Sequence, residues 1–466
     1  MTRLLCIFVI LIGVSSLPHA QTSDSLRRRN FSARNARPSE EWVRRGVIYE
    51  VNTRSFSPAG NFAGVEKRLP ELKKLGVTIL WIMPIHPVGV LNRKGTLGSQ
   101  YSVQDYYAVN PEFGTIDDFQ RLVNSAHKLG FHLIIDLVAN HTAWDSKLIK
   151  EHPDWFTKDS SGKIVPPNPD WTDVADLNYS QPGLRRYMIE MMKYWVRDIG
   201  VDGYRCDVAE LVPLDFWEDA RAALDSIKPV MMLAEGAYPQ HHLKAFDASY
   251  GWNTYWVLAP VVKGKKSVLA IDTVLSIEKA AYPEGSLRMR FSSNHDENAW
   301  DAPDVKKFGR KGAMLAAVVV NTLPGIPLLY NGQEVGSPKR LKLFEKIPID
   351  WRGGNEFRKL YSALFELRKK EPAFSDGSML RIPTSNSRQV YAFARMSGAD
   401  KFLVLINVGA KAFSGSLDVT SLELTTHSHV TLTDMFTKKN TMTAVPASNR
   451  ISVKIPAMGF RILRLK

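Results

Sequence analysis

The chain has 466 residues, 44% hydrophobic and 23% charged, proportions that exclude a mainly disordered, collagen-like or low-complexity protein. The net charge is +14, but basic residues cluster only over 27–45, where Arg27, Arg28, Arg29, Arg34, Arg37, Arg44 and Arg45 meet two aromatics, Phe31 and Trp42. That pattern fits a solvated, partly disordered leader better than a nucleic-acid arm, so no nucleic-acid partner is expected.

Arg3, an apolar run over 4–14, small residues and Ala20 before a polar stretch have the order of a secretory signal peptide. We expect residues 1–20 to be cleaved and 21–45 to form the basic leader, giving an exported protein, periplasmic or extracellular. The apolar stretch 313–330 is broken by Asn321, Pro324 and Pro327, so it reads as a buried helix and strand, and no stable membrane insertion is expected. Of two cysteines, Cys6 falls in the signal segment and Cys206 is left as a lone thiol.

From residue 47 the chain alternates strand and helix. A β-rich run at 47–52 precedes a helical pattern of Val65, Leu69, Leu72 and Leu75 that stops at Gly76, and an apolar strand follows at 77–83. Thr115 caps a helix with Phe119, Leu122, Val123 and Ala126 inward, then comes a strand at 131–138. Further strands are expected at 201–206, 230–235, near 244–248, at 288–293 and at 326–331, with helices at 183–199, 214–227, 252–281, 308–322 and 354–370. Eight βα units with continuous apolar strands predict an α/β fold, a (β/α)8 TIM barrel over 46–371. The connection of about 40 residues between Val138 and Gly183 is too long for a plain loop and predicts a functional loop or small subdomain. After residue 375 short β-rich runs predict a C-terminal antiparallel β-sandwich domain over 376–466.

Barrel chemistry is done at the carboxyl ends of the strands, so polar residues ending apolar strands are the candidates. They are Asp136 with Asn140 and His141, then Arg205 and Asp207, Glu235, and His295 with Asp296. Asp207 and Glu235 are one βα unit apart and rise from neighbouring strands. Two carboxyls about 5–5.5 Å apart suit a retaining glycosidase, one attacking the sugar and the other alternating as acid and base. Arg205 lies two residues from Asp207 on one strand, hence on the same side, and would keep the nucleophile ionised. The apolar approach to Glu235 would raise its pKa, as a proton donor requires. Asp296 would be a third, charge-stabilising carboxylate, with His141 and His295 hydrogen-bonding sugar hydroxyls.

The segments DLVANH (136–141), GYRCDVAE (203–210), LAEG (233–236) and FSSNHD (291–296) resemble, in order, the four signature regions of the α-amylase family of glycoside hydrolases. VADLNY (174–179), LWIMPIHPVG (80–89) and YSVQDYYAVNPEFGT (101–115) extend the resemblance over nearly the whole chain beyond the leader. It implies a catalytic barrel with a small B domain at 142–182 and a C-terminal β domain. It implies Asp207 as nucleophile, Glu235 as general acid/base and Asp296 as transition-state stabiliser. Arg205, His141 and His295 would surround the sugar at the cleavage point, with Tyr101 stacked on its face. The implied substrates are α-linked glucans and maltooligosaccharides. Asn140 matches a family calcium ligand and Asp176 could supply a second hard oxygen, so a structural calcium is one option and plain hydrogen bonding between B domain and barrel the other. No cofactor is required for the chemistry. The remaining histidines show no zinc-like pairing with carboxylates.

Two departures matter. Glu210-Leu211 stand where many starch-cleaving members carry a Lys-His pair on the leaving side, and Gly98-Ser99-Gln100 stand where members that clip single glucose units often carry an aspartate. The second tilts against an exo-α-glucosidase. Trp144, Trp155, Trp171 and Trp300 fall in rim loops and could stack on glucose units or pack the loops. A transglycosylase, or a binding protein without catalysis, remain the rival readings; oligomeric state leaves no mark in the sequence.

Overall fold

A computed structural model describes residues 30–466; the expected signal peptide and residues 21–29 lie outside the described residues. Eight parallel strands close a barrel in chain order: β1 (Ile48–Val51), β2 (Ile79–Ile82), β3 (His132–Leu137), β4 (Gly203–Cys206), β5 (Met231–Ala234), β6 (Ala248–Tyr250), β7 (Leu287–Arg290) and β8 (Ile326–Tyr330). Their side chains alternate between helix layer and barrel interior. Inside, Ile48, Ile79, Ile134, Met231, Met289 and Ile326 form an apolar cluster. Two residues further along β1, β3, β4 and β6, the same alternation places Glu50, Asp136, Arg205 and Tyr250, all buried. The functional layer thus rests on an apolar one. Gly203 opens β4 because a Cβ there would lie 1.9 Å from the Met231 carbonyl oxygen on β5, so glycine lets the two strands carrying Asp207 and Glu235 approach.

The helices follow the periodicity. Ile116–Lys128 starts with a complete capping box, Thr115 accepting from the Asp118 N–H and Asp118 from that of Thr115, and buries Phe119, Leu122, Val123 and Ala126, each worth about 1.5–3 kcal/mol where fully buried. The helix expected over 252–281 is two, Trp252–Val262 and Leu269–Ala281, broken after Pro260 and at Gly264, whose φ is 66°. Between β3 and β4 the long connection carries a two-stranded pairing of His141–Ala143 with Val174–Asp176. Beyond the barrel, a six-stranded antiparallel sheet faces a two-stranded one, Phe413–Asp418 with Arg450–Ile455, around a core that includes Leu403, Leu405, Leu417 and Ile451. No helix among the described residues is long and apolar enough to cross a membrane.

The leader reading needs correction over residues 30–45. Arg37 pairs with Asp247 at 2.7 Å and Asp225 at 3.2 Å, and Arg44 and Arg45 both reach Asp376. The short helix Glu41–Arg44 buries Val43 in the interior cluster, and Trp42 stacks on His132 with ring centres 3.8 Å apart. The arginines answer carboxylates far along the chain, a complementarity that charge counting within the segment does not reveal.

Candidate active site

The catalytic candidates converge at the carboxyl end of the barrel, lining a cleft of about 340 Å³ with Tyr101, His141, Asp207, Glu235, His295 and Asp296 around it. Arg205, at the end of β4, is wholly buried and central. Its Nη1 donates to Asp136 and Asp207, both at 2.8 Å, and Nε donates to Tyr250 Oη at 3.1 Å. Nη2 pairs with Glu235 Oε1 at 2.8 Å. Trp81, Tyr101 and Tyr250 turn their faces to the guanidinium, with centroids 5.1–5.7 Å away.

One cation shared among three carboxylates sets their protonation. Burial pushes Glu235 up, the Arg205 charge pulls it back and the Asp207 charge pushes it up again, leaving it above the ordinary glutamate value. That is the direction a proton donor needs. Burial raises Asp207 also, opposed by the charge and hydrogen bond of Arg205. Asp136 is likewise raised by burial against the pull of Arg205. It is not a rim residue: it sits inside β3, accepting from Trp81 Nε1 at 3.1 Å and Tyr101 Oη at 3.0 Å as well as from Arg205.

Val208, directly after Asp207, has φ 36° and ψ 47°, a left-handed conformation that β-branched residues avoid. This aims its N–H at Glu235 Oε2, 2.7 Å away. The strained turn therefore fixes Asp207 and Glu235 relative to each other.

His295 is buried between two carboxylates. Its ring bonds Glu50 Oε1 through Nδ1 at 2.5 Å and Tyr101 Oη through Nε2 at 2.7 Å, with Asp296 Oδ2 3.3 Å from Nε2. Burial alone would lower its pKa, but the charges of Asp296 and Glu50 lift it to about 9. With an acceptor at each nitrogen, the ring is held as imidazolium. His141 is the opposite case: burial lowers it to about 4, and it is neutral. Asn140 Nδ2 is 3.3 Å from its Nδ1, and the Tyr101 main chain also hydrogen-bonds the ring. Asp296 is partly exposed and faces the cleft, and Tyr101 stacks on His295 at 5.2 Å and 17°.

Asn140 and Asp176 supply two side chains toward the six to eight oxygen ligands that calcium takes. Asn140 turns its side-chain nitrogen to His141 Nδ1 at 3.3 Å, and its main-chain carbonyl accepts the Leu177 N–H at 3.0 Å. Asp176 is lifted to about 6 by burial, relieved only by a hydrogen bond from Thr157, so it is the one carboxylate here that a cation would relieve. No group of three His, Cys, Asp or Glu side chains among the described residues could hold a metal.

Of the four tryptophans, Trp171 and Trp300 line the cleft, whereas Trp155 is stacked on His152 at 3.8 Å and Trp144 Nε1 donates to the Thr172 carbonyl at 2.9 Å. Cys206 is buried, on the opposite side of β4 from Arg205. Glu210 accepts the Ala237 N–H, tying the turn after β4 to that after β5. Sequence reasoning missed Glu50, Trp81 and Tyr250. The rule that identified the others, a polar or aromatic side chain near the carboxyl end of a barrel strand, would have found all three if applied to β1, β2 and β6.

The model of the α-amylase catalytic domain matches residues 28–347. A maltogenic α-amylase of Thermotoga neapolitana superposes with a TM-score of 0.84 at 34% identity, over 91% of this chain and 99% of that one. An α-amylase of Haloarcula japonica is 29% identical over 402 residues, 82% of this chain; the match spans 58% of that protein's length. A Streptomyces coelicolor α-1,4-glucan:maltose-1-phosphate maltosyltransferase is 26% identical over 440 residues, 84% of this chain and 63% of its own. With a matched catalytic domain over most of its length and three carboxylates gathered at the barrel mouth, the chain belongs to the α-amylase family of glycosidases.

Proposed function

We propose that the protein hydrolyses α-glucosidic bonds in α-glucans and maltooligosaccharides with retention of configuration. The observation that carries the reading is the shared guanidinium: Arg205 grips Asp207 and lies beside Glu235, so the two carboxyls face one reacting centre. In the first step an Asp207 oxygen bonds to the anomeric carbon while the bond to the glycosidic oxygen breaks, and Glu235 gives that oxygen its proton. In the second, Glu235, now a carboxylate, takes a proton from water, the water oxygen bonds to the anomeric carbon, and the bond to Asp207 breaks. Asp296 and its neighbours stabilise the positive charge that develops on the sugar in both steps. His141 hydrogen-bonds a sugar hydroxyl, the His295 imidazolium holds Tyr101 and Asp296 in place, and Tyr101 offers a ring face.

The test is product analysis with maltoheptaose, β-cyclodextrin, pullulan and soluble starch. The wild type is expected to give shorter sugars and Asp207→Asn none; no turnover on any of them refutes the reading. A second reading, transfer of the glycosyl group to a sugar hydroxyl, is favoured by the maltosyltransferase likeness and would give products longer than the input. We also infer export through residues 1–20, tested by amino-terminal sequencing of the secreted protein, which is expected to start at Gln21.

A further inference from the structure

The two ends of the cleft differ in construction. Glu235 protonates the departing oxygen, so its side is the leaving side. Leu211, in the turn after β4, is 57% exposed. In an eight-stranded barrel in chain order, β5 lies across the mouth from β1, with β2 and β8 beside β1. The loops after β2 and β8 therefore bound the side where the non-reducing end of a glucan lies.

These loops are locked together. The buried Arg54 guanidinium donates to the carbonyls of Gly98, in the loop after β2, and Leu343, in the loop after β8, both at 2.9 Å. The Leu97 N–H donates to the Phe344 carbonyl at 3.1 Å. Gly95, at φ 63°, lies against Phe344, where a Cβ would sit 2.6 Å from the ring's Cβ. From the same loop Lys94 reaches across to the B domain: its Nζ donates to the Asp170 carbonyl at 2.8 Å and pairs with Asp173 Oδ1 at 3.1 Å. Lys94, Asp173, Trp171 and Phe344 all line the cleft. Three loops thus form one wall, and Lys94 is its strap.

We propose that this wall makes the enzyme chain-end directed: it binds a short non-reducing end of an α-glucan against the Lys94–Asp173 strap and releases a short product from that end. The proposal rests on the hydrolase reading above. It replaces the missing aspartate of single-glucose clippers by a bridge between loops, a feature of contact and not of motif. Trp171 offers a ring face to the enclosed sugar, and the Lys94 ammonium a donor to its hydroxyls.

The test compares maltoheptaose with maltoheptaose whose non-reducing glucose carries a 4,6-O-ethylidene block, both followed by chromatography at low conversion. The wild type is expected to give one dominant short product and its complement from the free substrate, and to cleave the blocked one at least about tenfold more slowly. Lys94→Ala should raise blocked-substrate cleavage about tenfold relative to free and spread the products, whereas Lys94→Arg should behave as wild type. Asp173→Asn cuts the strap from its other side and should act as Lys94→Ala does, which guards against a folding defect in one variant. Equal wild-type rates on both substrates overturn the proposal while leaving the hydrolase reading intact. No turnover of either substrate removes the hydrolase reading and this proposal with it.

Discussion

Glu50→Gln isolates one of the two carboxylates, Asp296 and Glu50, that hold His295 protonated. The substitution keeps shape and an acceptor oxygen for the Nδ1–H but removes the carboxylate charge. In the folded protein His295 titrates near 9 against an ordinary 6.5, so between those values the folded state carries one proton more than the unfolded chain. Stability then falls by about 1.4 kcal/mol per pH unit from this group alone. The contribution is complete below about pH 6.5, worth about 3 kcal/mol, and is lost as pH rises through 9. An opposite charge in contact shifts a pKa by about 1–3 units, and Asp296 still acts in the variant. The falling segment should therefore end about 1–2 pH units earlier in Glu50→Gln. The slope is the observable, because the absolute stability also changes by removal of a buried carboxylate. Urea unfolding from pH 6 to 10, with NMR titration of the His295 ring, measures both. A ring titrating at the same pH in both proteins would refute the assignment of Glu50 as one of the charges that hold the imidazolium.

Three further outcomes are expected. Glu235→Gln should lower kcat on maltoheptaose by about 10²–10⁴-fold and affect the first step far less with an α-maltosyl fluoride, whose leaving group needs no proton; equal loss on both substrates in pre-steady-state kinetics would contradict the acid role. Arg205→Lys should lower stability by about 3–5 kcal/mol, since a point charge cannot span Asp136, Asp207 and Glu235 and leaves buried carboxylates unpaired; an unchanged Tm would oppose it. Chelation with EDTA should leave the Tm in place and added calcium should not raise it, because the oxygens at Asn140 and Asp176 are too few; a calcium-dependent rise in Tm would show a binding site there.

The barrel was legible because each strand is a short apolar run buried on both faces and each helix has a clear start and stop, as Thr115 and Gly76 show. Asp207, Glu235, Asp296, His141 and His295 were legible because polar groups that end apolar strands have few structural uses, and all line one cleft. What stayed hidden depends on pairing between distant segments. The arginines of 30–45 find their carboxylates about 190–330 residues away, as Arg37 does at Asp225 and Arg44 at Asp376. The Lys94 strap likewise joins loops whose approach no local pattern encodes.

Glu50 is the instructive omission. It stands third in a four-residue strand whose other members, Ile48, Tyr49 and Val51, are apolar, and a lone acid there reads as noise until the barrel closes and places it against His295. A buried, unpaired carboxylate would be costly, and here the His295 imidazolium faces Glu50 and relieves that cost. The same logic runs through the layer. Glu50, Asp136, Arg205 and His295 are each buried, and none would be tolerated there alone. Together they form a charged stratum over an apolar one, fixing the ionic state of the groups that line the cleft. The apolar layer beneath supplies the dry surroundings in which these charges act at full strength. Alternation along the strands thus produces both the core that holds the barrel and the electrostatics of its mouth.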